Sequence, residues 1–414
     1  MRERVWLVLA DGEVFKGRGF GHPAPFADSL GKNDYAGIGE VVFNTAMVGY
    51  PEVLTDPSYT GQIVVMTYPH IGNYGVNEAW SESGPTGTSH ADLRPVKVAG
   101  FILRKLYSGP IPAGRQTLHA YLHEHSIPGI SDVDTRALTL RLRKQGSING
   151  ILVQSGNSFL SESELSAALN CLNTFPSMEG RNLLSAVGSR EIVPPSAFSA
   201  AAVSVSSSVS TSAAVSASAD TDRNNANISL ALYDCGIKAN IIREFKNISC
   251  VPTVYPSTAS VSEILAGNHH ALMVSNGPGD PQTLDYQIQT VKKLIGKIPI
   301  FGICLGHQII AEALGAKIYK MKFGHHGINH PVRDERSKKV FVTSQNHGFA
   351  VDEGSLPAST EIWFRNANDQ SNEGIRNDDL AVLSVQFHPE SAPGPYDSRW
   401  IFTEFLTAIP MKTS

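Results

Sequence analysis

Cysteine is scarce in this chain: four in 414 residues, at positions 171, 235, 250 and 304. They make no C-x-x-C pair and no ladder of close spacings, which argues against a disulfide framework or a structural zinc module and for a reducing compartment. Long apolar runs are missing too. None approaches the ~18–20 residues that a membrane span needs, so no membrane partner is expected. Charge of one sign is not in excess: 34 Lys and Arg stand against 38 Asp and Glu, a net charge of −4. That balance gives no electrostatic reason to expect nucleic acid or an anionic membrane. Met1-Arg2-Glu3-Arg4 runs directly into the strand-like Val5–Leu9, leaving no room for a leader peptide, and a cytoplasmic location is the expectation. There is no glycine-rich phosphate loop of the G-x-x-x-x-G-K-[ST] kind and no internal repeat.

What is present is an ordinary globular composition, 42% hydrophobic and 17% charged, on a chain too long for one core. A compositional break divides it. From Pro194-Pro195 through Ser204-Val205-Ser206-Ser207-Ser208 to Asn224-Asn225-Ala226-Asn227, small side chains dominate. Such residues bury too little area to offset ordering entropy, so residues 191–227 are expected to form a Ser/Ala-rich flexible linker between domains at 1–190 and 228–414.

The fold class is expected to be α/β. In the first half, Val5–Leu9, Glu40–Phe43 and Gln62–Met66 have strand character, Asp11-Gly12 is a hairpin turn, and 132–145 is an amphipathic helix that starts at Asp134-Thr135 and stops at Gly146. A mixed, β-rich domain follows. In the second half, short apolar runs at Ser229–Leu232, Ala271–Val274, Ile298–Ile303 and Ala381–Val385 alternate with helical stretches at 237–246, 284–295 and 306–315. That alternation predicts a parallel sheet covered on both faces, with functional loops at the carboxyl ends of its strands.

The sharpest local signal is Ile300-Phe301-Gly302-Ile303-Cys304-Leu305-Gly306-His307-Gln308. A strand ends, a cysteine sits between glycines at −2 and +2, and a helix begins. This is a cysteine counterpart of the G-x-S-x-G elbow. The glycines allow a sharp turn and close packing, the amino end of the helix favours a thiolate, and the Leu305 N–H is left for an oxyanion. A thiolate nucleophile needs a base and the base an orienting group. Gln386-Phe387-His388-Pro389-Glu390 follows the apolar run 381–385. In an extended chain residues i and i+2 share a face, so His388 and Glu390 can meet at the strand end as base and orienter. Cys171, Cys235 and Cys250 are read as structural, and His307 as part of the elbow helix. His325, His326 and His330 invite comparison with metal ligands; their glycine flanks and the absence of an acidic partner argue for a loop lining a cleft or interface, and no metal is expected.

These residues resemble a known family. Phe301–Gln308 with His388-Pro389-Glu390, strengthened by Ser275-Asn276-Gly277-Pro278-Gly279-Asp280-Pro281, is similar to the class I, triad-type glutamine amidotransferase domain. In the first half, Gly39–Pro51, Leu54–Tyr59, Tyr68–Gly75 and Val133–Arg136 resemble the amino-terminal domain of the carbamoyl-phosphate synthetase small subunit, as does Ser344–Asp352 in the second half. Asn366–Asp369 and Ser371–Gly374 lean toward the equivalent domain of the fused pyrimidine-pathway synthetases. The resemblance implies Cys304, His388 and Glu390 as a catalytic triad, Leu305 and Gly279 as the oxyanion hole, and glutamine contacts at Ser58, Gly277, Gly279, Leu305, Gln308, Asn346, Gly348 and Phe349. It implies hydrolysis of glutamine to glutamate and ammonia, no cofactor in this chain, and a large partner subunit or domain that uses ATP and magnesium to make carbamoyl phosphate for pyrimidine or arginine synthesis. Two other readings share parts of this pattern: a stand-alone γ-glutamyl cysteine hydrolase, which would not need the first-half motifs, and a non-catalytic regulatory subunit, which would not need Cys304 and His388.

Overall fold

The computed structural model describes residues 3–30, 37–84, 95–198 and 228–410. In the first half, β1 (Arg4–Leu9), β2 (Val14–Gly21), β3 (Ile38–Asn44), β4 (Gln62–Met66), β5 (Gly100–Ile102), β6 (Pro128–Ser131) and β7 (Ile148–Gln154) close into a barrel. Among the described residues its order is β1-β2-β6-β5-β4-β3-β7. The β1–β2 pair is the hairpin expected at Asp11-Gly12, with Val8 opposite Val14 and Gly12 at φ 87°. Helices α1 (Tyr50–Thr55), α2 (Leu118–Glu124), α3 (Thr135–Gln145) and α4 (Glu162–Thr174) accompany the barrel. Helix α3 lies where its end signals put it. Asp134 caps it by accepting from Ala137 N at 3.0 Å, and Gly146 ends it at φ 107°. Strands β3 and β4 are buried along their whole length, since one face fills the barrel and the other is covered.

The second half contains β8 (Ile228–Asp234), α5 (Ala239–Asn247), β9 (Cys250–Pro256), α6 (Val261–Ala266), β10 (Ala271–Val274), α7 (Asp285–Leu294), β11 (Ile300–Ile303), α8 (Leu305–Leu314), β12 (Lys317–Asp334), β13 (Val340–Asp352), β14 (Glu361–Asn366), β15 (Asn372–Asn377), β16 (Val382–Val385) and α9 (Trp400–Thr407). Among the described residues the sheet order is β13-β12-β14-β15-β16-β11-β10-β8-β9. The stretch β16-β11-β10-β8-β9 is parallel, as the strand–helix alternation requires. The sheet as a whole is mixed: β12 to β15 extend it in antiparallel fashion. Strands β10, β11 and β16 are short apolar runs, buried at every residue. The long β12 mixes exposed and buried positions and carries three of its eighteen residues as Gly and Pro. It therefore lacks the continuous apolar signature of a central strand. The three histidines of this region lie on β12 rather than on a loop.

Residues 191–198, assigned to the linker by composition, follow the second half instead. Val193 exchanges backbone hydrogen bonds with Val254 at 2.8 and 2.9 Å, and Phe198 is buried against the core that includes Ile241, Phe245 and Val254. The physical reason is that β9 is an edge strand with unpaired backbone groups, and Val193 and Phe198 are apolar anchors among small neighbours. Residues 199–227, the rest of that assignment, lie outside the described residues. No described helix is long and apolar enough to cross a membrane.

The two halves meet along a polar seam. Thr45 N donates to His326 O at 3.2 Å and Ala239 N to Glu82 O at 3.1 Å. Gly49, at φ 82°, lies so close to Pro393 that a Cβ there would come within 2.0 Å of the proline ring.

Candidate active site

The carboxyl end of β11 turns into α8 through Cys304, whose φ of 54° and ψ of −105° cost about 1–3 kcal/mol of backbone strain. Two close approaches hold that turn. A Cβ on Gly302 would lie 2.5 Å from Ile310 Cδ1 and 2.8 Å from the Gly306 backbone, and a Cβ on Gly306 would lie 2.0 Å from Val274 O. Both flanking glycines are thus required by backbone contact, as the elbow pattern predicts. Cys304 N is tied to Val385 O at 2.9 Å, which locks the turn to the neighbouring strand. The sulfur stands at the amino end of α8, 3.5 Å from Asn346 O. The backbone N–H groups of Leu305 and Gly279 donate to no other backbone group among the described residues, and Gly279 needs its positive φ of 96°.

From the end of β16 the chain carries His388 and Glu390 to the same place. His388 N is fixed by Ser344 O at 2.9 Å, and its Nδ1 lies 2.7 Å from Glu390 Oε1. The Nε2 has no hydrogen-bond partner among the described residues, and Cys304 is one of the two groups whose charge acts on the ring. Burial alone would lower the His388 pKa, but the charges of Glu390 and Cys304 outweigh it and hold it up at about 10. Burial would raise that of Glu390, and Lys238 and His388 hold it down at about 2. Lys238 is a residue that sequence reasoning missed. Its Nζ lies 3.0 Å from Glu390 Oε1 and donates to Ser391 O at 2.6 Å, although the side chain is almost completely buried. It sits just before α5 without any motif to announce it, four residues beyond the end of β8 at Asp234.

Beside the sulfur lies a small polar cleft. Of the eight expected glutamine contacts it is lined by Ser58, Gly277, Gly279, Gln308, Asn346, Gly348 and Phe349. The eighth, Leu305, is buried in the core and can offer only its backbone. Several of these side chains are held by others. Ser58 Oγ accepts from Asn276 Nδ2 at 2.9 Å, Asn346 Nδ2 donates to Asp56 Oδ2 at 3.1 Å, and Gln308 Nε2 donates to Phe349 O and Gln386 Oε1, both at 2.9 Å. The cleft also includes Gln62, Met178, Lys320 and His326, which the motifs did not single out as contacts. His326 Nδ1 pairs with Asn346 Oδ1 at 2.9 Å. His307 belongs to α8, as expected, and is buried with Nδ1 2.9 Å from Ser384 Oγ. His325 does have acidic partners: Asp369 at 2.7 Å and Glu373 at 3.3 Å. They arrive from some forty residues away in sequence, hence their absence from the local pattern. All four cysteines are free.

A thiol at a helix mouth, an imidazole–carboxylate pair, two free amides and a polar cleft together can perform acyl transfer on a carboxamide. The comparisons with known proteins give that chemistry a class. Residues 231–408 match the glutamine amidotransferase class-I family, so the second half is a class-I amidotransferase domain. Residues 7–152 match the carbamoyl-phosphate synthase small chain, CPSase domain. Over nearly its full length the chain is similar to proteins named carbamoyl phosphate synthase small chain. With that of Akkermansia muciniphila it is 42% identical over 409 residues, covering 98% of this chain and 97% of that one. With that of Methanocaldococcus jannaschii it is 40% identical, covering 97% of each. With that of Escherichia coli K12 it is 39% identical, covering 99% and 98%. The chain belongs to the carbamoyl-phosphate synthase small-chain family, whose amidotransferase component it represents.

Proposed function

We propose that this chain hydrolyses glutamine through Cys304, His388 and Glu390 and delivers ammonia to a large, ATP-using synthase subunit or domain that makes carbamoyl phosphate. The observation that carries this reading is the meeting of three separate segments: the Cys304 elbow, the His388–Glu390 pair at 2.7 Å, and a cleft lined by seven of the eight expected contacts. Glutamine enters beside Cys304. The thiolate attacks the side-chain amide carbon, and the N–H groups of Leu305 and Gly279 stabilise the oxyanion. The C–N bond breaks as His388 gives its proton to the leaving ammonia. Water, deprotonated by His388, then attacks the γ-glutamyl thioester, releasing glutamate and the thiolate. Glu390, itself held by Lys238, keeps His388 oriented through both steps and favours the imidazolium from which the proton is given. Nothing in this half-reaction needs a metal or nucleotide, so ATP and magnesium chemistry is assigned to the partner, and carbamoyl phosphate to pyrimidine or arginine supply. Similarity running through both halves favours this over a stand-alone γ-glutamyl hydrolase, which would need only the second.

The test is glutamine turnover by the wild type and by Cys304→Ala, with a glutamine-analogue electrophile as probe. The expected result is loss of turnover to background in the variant and labelling of the wild type at Cys304 alone. Turnover that survives the substitution would sink the assignment. The synthase partner should raise wild-type turnover; full turnover without it would favour the stand-alone hydrolase.

A further inference from the structure

Behind the cleft the sheet holds a second cluster that the reaction does not use. His326 faces Asn346 across β12–β13, and His325 faces His347 in the next register position. Successive residues point to opposite sides of a strand. The first pair therefore serves the cleft, whose lining His347 also joins, while the His325 and His347 rings pack together with centroids 4.9 Å apart beside Glu373 of β15. One ligand atom from each of His325, His347 and Glu373 lies within 4.8 Å of the other two, and the three residues are only 5%, 5% and 0% exposed.

The outer contacts of this cluster are those of a metal site. His325 turns Nε2 to Asp369 Oδ2 at 2.7 Å, leaving Nδ1 toward Glu373. His347 Nδ1 lies 2.8 Å from Phe349 O. A carbonyl only accepts, so Nδ1 carries the hydrogen and Nε2 keeps its lone pair. Glu373 is steadied by Gln345 Nε2 at 2.8 Å and Asn366 Nδ2 at 3.0 Å. Two buried acceptors then stand without partners among the described residues: His347 Nε2 and Gln345 Oε1. An imidazolium at His325 would satisfy Glu373 but neither of these. A cation satisfies the first directly and the second through a coordinated water.

We propose that His325, His347 and Glu373 bind one divalent transition-metal ion of the zinc class. Two imidazoles and a carboxylate are donors that suit zinc rather than calcium or magnesium, and three protein ligands leave one tetrahedral position for water. Asp369 and the Phe349 carbonyl fix the ring tautomers, the usual arrangement behind ligating histidines. If His325 is doubly protonated beforehand, binding releases the Nδ1 proton to solvent. The ion would tie β12, β13 and β15 together beneath the hairpin that carries His326 and Asn346. It takes no part in the hydrolysis, and the inference stands whether or not that mechanism does.

The experiment uses the full chain stripped with a chelator and titrated with zinc by calorimetry and with cobalt(II) by visible absorption. One equivalent per chain is expected, with the intense absorption of tetrahedral cobalt, which zinc then displaces. Glu373→Gln should bind at least 100-fold more weakly and Asp369→Asn about 10- to 100-fold more weakly. The wild type should gain thermal stability with added zinc and Glu373→Gln should not. Asp369 is 45% exposed, so its variant provides a folded comparison if Glu373→Gln misfolds. Absence of stoichiometric uptake would overturn the proposal, as would unchanged affinity in Asp369→Asn.

Discussion

Glu390 is a carboxylate that water cannot reach, and burial of this kind ordinarily drives such a group to its neutral form. Lys238 and His388 reverse that tendency, and the charges of Glu390 and Cys304 in turn act on the ring. His388 is held at about 10 against an ordinary 6.5, so its contribution to stability is complete below pH 6.5 and is lost as pH rises through 10. Glu390 is held at about 2 against 4.5, so its contribution is present above pH 4.5 and is lost as pH falls through 2. The stability advantage of the wild type over Glu390→Gln should therefore be greatest between pH 4.5 and 6.5. It should shrink on both sides, as denaturant unfolding across pH can measure. Activity has its own limb. Ammonia departs with a proton from His388, so the alkaline fall of kcat/KM follows imidazolium loss. In Glu390→Gln that fall should move to lower pH by on the order of one unit. An unmoved limb would mean that another group supplies the proton.

At the scale of elements, the parts legible in sequence are those whose cause is local. Helix α3 is bounded by a capping aspartate and a glycine at positive φ. The elbow could be recognised because two backbone contacts forbid a side chain at Gly302 and Gly306. Strands β12 and β13 were not legible because their pairing is interrupted by irregularities between Lys320 and His325 and between Gly327 and His330. Each interruption breaks the two-residue period by which a strand is recognised. Lys238, Asp369 and Glu373 were missed for a related reason, since their partners are distant in the chain. The glycines of α8 give a direct test of local cause. A methyl at Gly306 would press on Val274 O, lifting the helix from β10 and moving the Cys304 turn with it. Gly306→Ala should cost about 1–3 kcal/mol and lower glutamine turnover about 100-fold through misplacement of the sulfur. Gly315 ends the same helix at φ 103° with open space around it. Gly315→Ala should cost a similar roughly 1–2 kcal/mol from its backbone conformation, yet leave turnover near that of the wild type. Urea unfolding with steady-state kinetics on both variants separates the two effects.

At the scale of the whole molecule, the cleft belongs to neither half alone. Ser58, Gln62 and Met178 come from the barrel side, while the Gly277–Gly279 loop, Gln308 and Asn346–Phe349 come from the mixed sheet. Motifs could name residues in each half, but composition and spacing do not say that two halves close on one ligand. That closure depends on side chains that meet only after folding. Asp56 is central to it, accepting from Ser58 N at 2.9 Å within its own half and from Asn346 Nδ2 at 3.1 Å across the seam. Asp56→Ala would leave both buried donors without an acceptor, at a cost of about 1–3 kcal/mol. Both donors belong to residues expected to hold glutamine, Ser58 and Asn346, so most of that cost should fall on binding. KM for glutamine is expected to rise about 10- to 100-fold with a smaller change in kcat, since the Cys304–His388–Glu390 geometry has its own supports in Val385, Ser344 and Lys238. Steady-state kinetics beside a thermal melt decides the matter. If the melting temperature falls while KM stays at the wild-type value, the seam contributes cohesion only, and the amidotransferase half alone sets the affinity for glutamine.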